Sequence, residues 1–119
     1  MVAHISNIAT STKVDYTISI HTWGIVKVLQ SIDLYKTKVS SFARFPLSNM
    51  FRVKVNEVNT NLQKLENIGK NLFQRLKHIH AMGAFDGRNI LVQQLETEID
   101  LFYEMMKVQS IKYAQTIPK

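Results

Sequence analysis

A single apolar stripe from Phe51 to Ile79 constrains this chain more than any other feature. Phe51, Val55, Val58, Leu62, Leu65, Leu72, Leu76 and Ile79 follow one another in steps of three and four, interrupted only at Gly69. That spacing gathers them on one side of a helix, and a helix with such a stripe needs neighbours to cover it. At about 100° per residue, the opposite face carries Asn56, Thr60, Gln63, Lys64, Asn67, Lys70, Asn71, Gln74, Lys77 and His78, with Glu57 near its edge. The outer face is therefore amide and base, almost without acid. No catalytic motif of comparable strength is present, so the sequence indicates a surface rather than a reaction.

The rest of the chain is arranged around this stripe. Val14, Tyr16, Ile18 and Ile20 alternate with Asp15, Thr17 and Ser19, a two-residue period rich in β-branched side chains that suits a strand or an extended lead-in. The only other alternation, Phe51, Val53 and Val55, offers at most a marginal two-stranded ribbon. Residues 1–21 are therefore expected as an extended N-terminal arm. From Thr22 the spacing changes, and Ile25, Val28, Ile32, Tyr35, Val39 and Phe42 predict a first helix over 22–44, ended by Pro46. Ser48 or Asn49 is placed to cap a second helix over 48–82, and Gly83 to end it in a left-handed conformation. Asp86 or Asn89 is the expected cap of a third helix over 88–114, whose core row is Val92, Leu95, Ile99, Phe102 and Met106.

The expected fold class is all-α: an antiparallel bundle of three long helices, spanning residues 22–115, with an extended N-terminal arm. At 1.5 Å per residue the second helix would measure roughly 50 Å, against about 35 Å and about 40 Å for its partners. A helix that outruns its partners leaves apolar surface uncovered, so either the N-terminal arm folds back over it or a second subunit does, and a homo-oligomer is expected. Gly69, within the core row, would admit another backbone at close range.

Charge is unevenly distributed along the 119 residues, whose formal net charge is +6. Between Lys36 and His80, Lys36, Lys38, Arg44, Arg52, Lys54, Lys64, Lys70, Arg75 and Lys77 face only Glu57 and Glu66. From Asp86 to Glu104 the sign reverses, with Arg88 against Asp86, Glu96, Glu98, Asp100 and Glu104. The two arms either satisfy each other within one assembly or leave the basic one for an anionic partner. The chain has no cysteine, which removes disulfides and thiolate metal sites. It has no apolar run long enough to span a bilayer and no signal-peptide pattern at its start, so a cytoplasmic protein or a virion component is expected, with no membrane partner.

The order of elements also resembles a known group. A Trp- and Tyr-bearing helix, the Phe45-Pro46 break, a long second helix, a short turn, and a third helix with Leu95, Glu96 and a run of Leu, Phe and Met are similar to the small four-helix-bundle proteins. That group includes the accessory variability determinant of diversity-generating retroelements and the proteins encoded in bacterial 23S rRNA intervening sequences. The likeness covers about Trp23 to Tyr113 and departs from the group where a fourth helix would follow. It implies a basic homo-oligomer that binds RNA and a reverse transcriptase without catalysing a reaction itself, and it transfers no functional residue individually.

Candidate chemistry is sparse. Arg75 and His80 form an Arg-x4-His spacing that resembles the motif of HEPN-type ribonucleases, but the residue after Arg75 is Leu76, where that family has a polar one. His78 and His80 are two apart and point to different sides of a helix, so they make no metal pair. Glu96, Glu98, Asp100 and Glu104 read as a solvated acidic face, and Met105 and Met106 as core filler. Tyr16, Tyr35, Tyr103, Tyr113 and Trp23 fall in or beside the apolar rows, so no base-stacking platform is evident. Neither a metal nor a cofactor is expected.

The leading expectation is a non-catalytic accessory protein that binds nucleic acid, RNA ahead of DNA, together with a protein partner. The contacts are assigned to Lys64, Asn67, Lys70, Asn71, Gln74, Arg75, Lys77 and His78 on the outer face of the second helix. The alternative is a structural or adaptor subunit of a larger assembly such as a phage virion, and a HEPN-like ribonuclease stands third.

Overall fold

The computed structural model of the chain describes residues 2–42, 48–83 and 87–117, the side chains of residues 2–12 excepted. Three helices account for nearly all of them: α1 (Val2–Phe42), α2 (Asn49–Ala81) and α3 (Arg88–Thr116). There is no strand among the described residues. The helices lie along one rod of 70 × 19 × 19 Å.

All three helices repeat their buried positions every seven residues, in steps of four and three. Ile18, Ile25, Ile32 and Val39 form the buried row of α1, with Val28, Tyr35 and Phe42 packed beside it. In α2 the rows are Val55, Leu62, Gly69 and Leu76, and Val58, Leu65, Leu72 and Ile79. In α3, Val92, Leu95, Ile99, Phe102 and Met106 fill the same pattern. A repeat of 3.5 residues per turn keeps one seam of each helix facing its neighbours along the whole length. The pairs across the seams run in opposite order along successive helices. Phe42 meets Phe51 edge to face, Lys36 meets Glu66, and Asp15 meets His80. Between α2 and α3, Arg75 meets Glu98.

Residues 13–21 are helical, not extended, and the helix continues back to Val2. Val14 and Ile18 belong to the core row, one turn apart, whereas Tyr16 and Ile20 point to solvent. The apparent two-residue period came from a helix with apolar residues on opposite faces. The suggested ribbon between 13–20 and 50–55 is likewise helix on both sides.

The lengths correct a second expectation. At 41 residues α1 exceeds the 33 of α2, and the α2 stripe from Val55 to Ile79 is buried within the single chain. Asp15 lies beside the end of α2 at His80 and the start of α3 at Arg88, so it is the first turns of α1 that run past the other helices. The α2 stripe, covered within one chain, therefore does not call for an oligomer.

Local signals explain the helix ends. Ser48 caps α2, its hydroxyl accepting from the Phe51 amide at 3.2 Å. Gly83, at φ +73°, ends the helix, its amide bonding the His80 carbonyl. At α3 the cap position is Gly87, at φ +91°, and no described side chain caps the helix; Asn89 is inside it, and Asp86 lies outside the described residues, as does the Phe45–Leu47 linker. Gly69 admits side chains rather than a backbone: a Cβ there would meet Leu29 Cδ2 and Phe102 Cζ, each at 2.8 Å.

Candidate nucleic-acid interface

Every candidate on α2 is exposed, as the stripe on its other side requires, but the eight do not form one patch. They divide between the flanks of the helix. Gln74, Arg75 and His78 line a groove of about 580 Å³ against α3, with Leu91 and Gln94 opposite. Asn67 and Asn71 line a second groove along the same flank, beside Glu98, Leu101 and Met105. Lys70 lines a groove against α1 with Asp33 and Glu66, and Lys77 lines another with Trp23 and His80. Lys64 is exposed on the surface.

Ion pairing sorts them further. Arg75 donates two hydrogen bonds to the Glu98 carboxylate, at 2.9 and 2.7 Å. Hydrogen bonding to Arg75 holds the Glu98 carboxyl below its usual range and raises the Arg75 guanidinium in turn. Lys70 Nζ lies 3.2 Å from Glu66, which also receives Lys36 at 3.2 Å. Burial pushes the Glu66 carboxyl up, but hydrogen bonds from both lysines outweigh it and leave it lowered. Asn67 accepts from Gln63 at 3.1 Å. Arg75 and Lys70 are thus partly neutralised within the chain, whereas Lys64 and Lys77 have no carboxylate partner among the described residues.

The wider surface keeps the same imbalance. Lys13, Lys27, Lys38, Arg52, Lys54 and Lys112 also lack a carboxylate partner among the described residues, while the carboxylates without a cation are Asp33, Glu57 and Asp100. The acidic arm of α3 is largely engaged: Glu96 faces His21 at 3.7 Å, Glu98 binds Arg75, and Glu104 binds Lys107. The surplus of unpaired charge is positive, and it is spread along the rod.

Arg75 and His80 are on opposite flanks of α2, one bound to Glu98 of α3 and the other 3.6 Å from Asp15 of α1. Within one chain they do not converge on a common point. Among the described residues no group of three or more His, Asp or Glu is placed to hold a metal ion, and no helix is long and apolar enough to cross a membrane.

Two features escaped the sequence reading. Arg88 occupies a core position of α3, 3% exposed, with its Nη2 2.9 Å from Asp15. Its place in the seven-residue repeat, one turn before Val92, was the available signal. Tyr16 and Trp23 do not belong to the core margin: they are 68% and 65% exposed on the outer face of α1. Their mutual spacing of seven residues, offset from the Ile18 and Ile25 row, could have revealed this.

The fold and surface define an all-helical bundle with a cationic exterior. No family model matches the chain, and no curated protein or solved structure matches it, so its chemistry has to be read from its own residues.

Proposed function

We propose that the protein is an antiparallel three-helix bundle that binds nucleic acid without catalysing its cleavage, with RNA ahead of DNA as its ligand. One observation carries this reading: eight exposed cations have no carboxylate partner among the described residues, against three carboxylates without a cation. Such a surface attracts polyanions through release of condensed counterions, a sequence-independent interaction weakened by salt. On α2, Lys64 and Lys77 supply charge, while Asn71, Gln74 and His78 add hydrogen-bonding groups in the α3 groove. Asn67 is engaged by Gln63, and Arg75 and Lys70 contribute less because each is tied to a glutamate. A role as an accessory to a nucleic-acid-handling partner, the kind its element order resembles, fits this division.

The test is the salt dependence of binding. Replacing Lys64 and Lys77 by alanine should lower the slope of log affinity against log salt by about 1.4 on a single strand, or about 1.8 on a DNA duplex. Both positions face away from the core and alanine favours helix, so helicity should be unchanged. Binding with the same affinity and slope in the variant would remove these lysines from the interface.

A second reading, a structural or adaptor subunit that assembles with copies or partners, is favoured by an aliphatic row on α3. Ile90, Leu101 and Val108 are exposed along one side of that helix, beside the half-buried Met105. Under this reading a charge at Leu101 would lower the mass of the assembly and leave nucleic-acid binding unaffected.

A further inference from the structure

The outer face of α1 carries a line of five residues in steps of three and four: Lys13, Tyr16, Ile20, Trp23 and Lys27. All five are exposed, and the order along the helix is cation, ring, aliphatic, ring, cation. Lys27 Nζ lies 5.4 Å from the centre of the Trp23 ring, and neither lysine has a carboxylate partner among the described residues. Trp23 also forms one wall of a groove of about 550 Å³ between α1 and α2, across from Lys77. Both large rings lie outside the core, whose positions on α1 are filled by Ile18 and Ile25.

We propose that this face of α1 is a stacking platform for single-stranded nucleic acid. Tyr16 and Trp23 each take a base, and Lys13, Lys27 and Lys77 hold the phosphates on either side. The inference rests on the nucleic-acid reading above and gives it a location. Seven residues are about two turns, which separates the two rings by about 10.5 Å along the helix. Stacking uses the π-face that every base has, so binding would tolerate many sequences, but it requires bases freed from a duplex. The charge suits a strand, which brings phosphates to Lys13, Lys27 and Lys77 together with bases for the two rings. The face that a second copy would offer instead is the aliphatic row of α3, flanked by Asp100 and Glu104.

Trp23 is the chain's single tryptophan, so its emission reports on this face alone. The full chain is titrated at low salt with fluorescently labelled oligouridylate, oligodeoxythymidylate and an RNA duplex of equal length, following both oligonucleotide anisotropy and tryptophan emission. Both single strands should quench Trp23. Tyr16→Ala and Trp23→Ala should each weaken single-strand binding about tenfold, Trp23→Phe should retain most of it, and duplex binding should change far less. Far-UV circular dichroism of the variants should match the parent, because both rings are exposed. Single strands that bind without quenching, and with equal affinity in Tyr16→Ala and Trp23→Ala, would overturn the platform and leave the proposed function standing. If no nucleic acid binds at low salt, both readings fall together. If the two substitutions instead reduce the mass of a self-associated species without affecting binding, the face is a contact between copies and the platform is overturned.

Discussion

Replacing Gly69 by alanine sets two opposing effects against each other, and the structure decides between them. In an exposed helix interior the change is favourable by about 1 kcal/mol, since glycine loses more backbone freedom on folding. Gly69 is buried, however, and the new methyl carbon would lie 2.8 Å from Leu29 Cδ2 and 2.8 Å from Phe102 Cζ. Leu29 ends in a movable methyl at the partly buried margin of the core and can rotate aside. Phe102 is fully buried among the three helices, and its ring would have to retreat by about 0.6 Å to reach an ordinary contact of 3.4 Å. Overpacking of this kind costs about 1–3 kcal/mol, so the net expectation is a loss of about 1 kcal/mol. Urea unfolding followed by far-UV circular dichroism measures it. Phe102→Leu in the same background should recover part of the loss, which a double-mutant cycle reads as a coupling energy. Gly24→Ala supplies the contrast. Its new methyl meets only the hydroxyl end of the half-buried Tyr103, which can swing outward, so that variant should be neutral or slightly more stable. A Gly69→Ala protein more stable than the parent, or one uncoupled from Phe102, would refute the steric argument.

Arg88→Ala is expected to cost about 2–4 kcal/mol, because it empties a core position and leaves Asp15 without its guanidinium, while the length-matched Arg88→Met should cost less; thermal unfolding of the pair distinguishes charge from volume. For the Arg75–Glu98 pair the sign follows from the lowered Glu98 carboxyl: its stabilisation is present above the ordinary carboxylate range and disappears as pH falls through the lowered folded-state value. Both side chains are about half exposed, so Glu98→Gln should cost only about 0.2–1 kcal/mol at neutral pH, and parent and variant should converge in acid. A gap between the two that persists in acid would show that the effect is not electrostatic.

The three helices were legible because their core rows are long and regular, and the Val55–Ile79 stripe lies in the core where its spacing placed it. The Ser48 cap and the Gly83 stop were legible for a similar reason, since each rests on a local rule that tertiary contacts leave intact. The beginning of α1 was not. Val14 and Ile18 face inward while Tyr16 and Ile20 face out, and two apolar faces on one helix sum to an alternation that mimics a strand. The same coincidence hid the outward rings, because a stretch read as extended has no outer helical face on which to align Tyr16 with Trp23. On α2 the outer face was identified correctly as a face. For Lys70 the neutralising partner was readable within α2, since Glu66 stands four residues before it, but that Arg75 is tied up depends on Glu98 of α3 arriving alongside, which no spacing within α2 contains.

Helix α2 packs about equally on both neighbours, which touch each other much less. The protein is in effect two helical hairpins that share one member, and each closes only a short connection along the chain, so the loop entropy opposing either is small. Either outer helix can then detach while the other seam stays shut. Amide protons of α1 and α3 would exchange with solvent through two separate partial openings, and those in the middle of α2 only after both seams have parted.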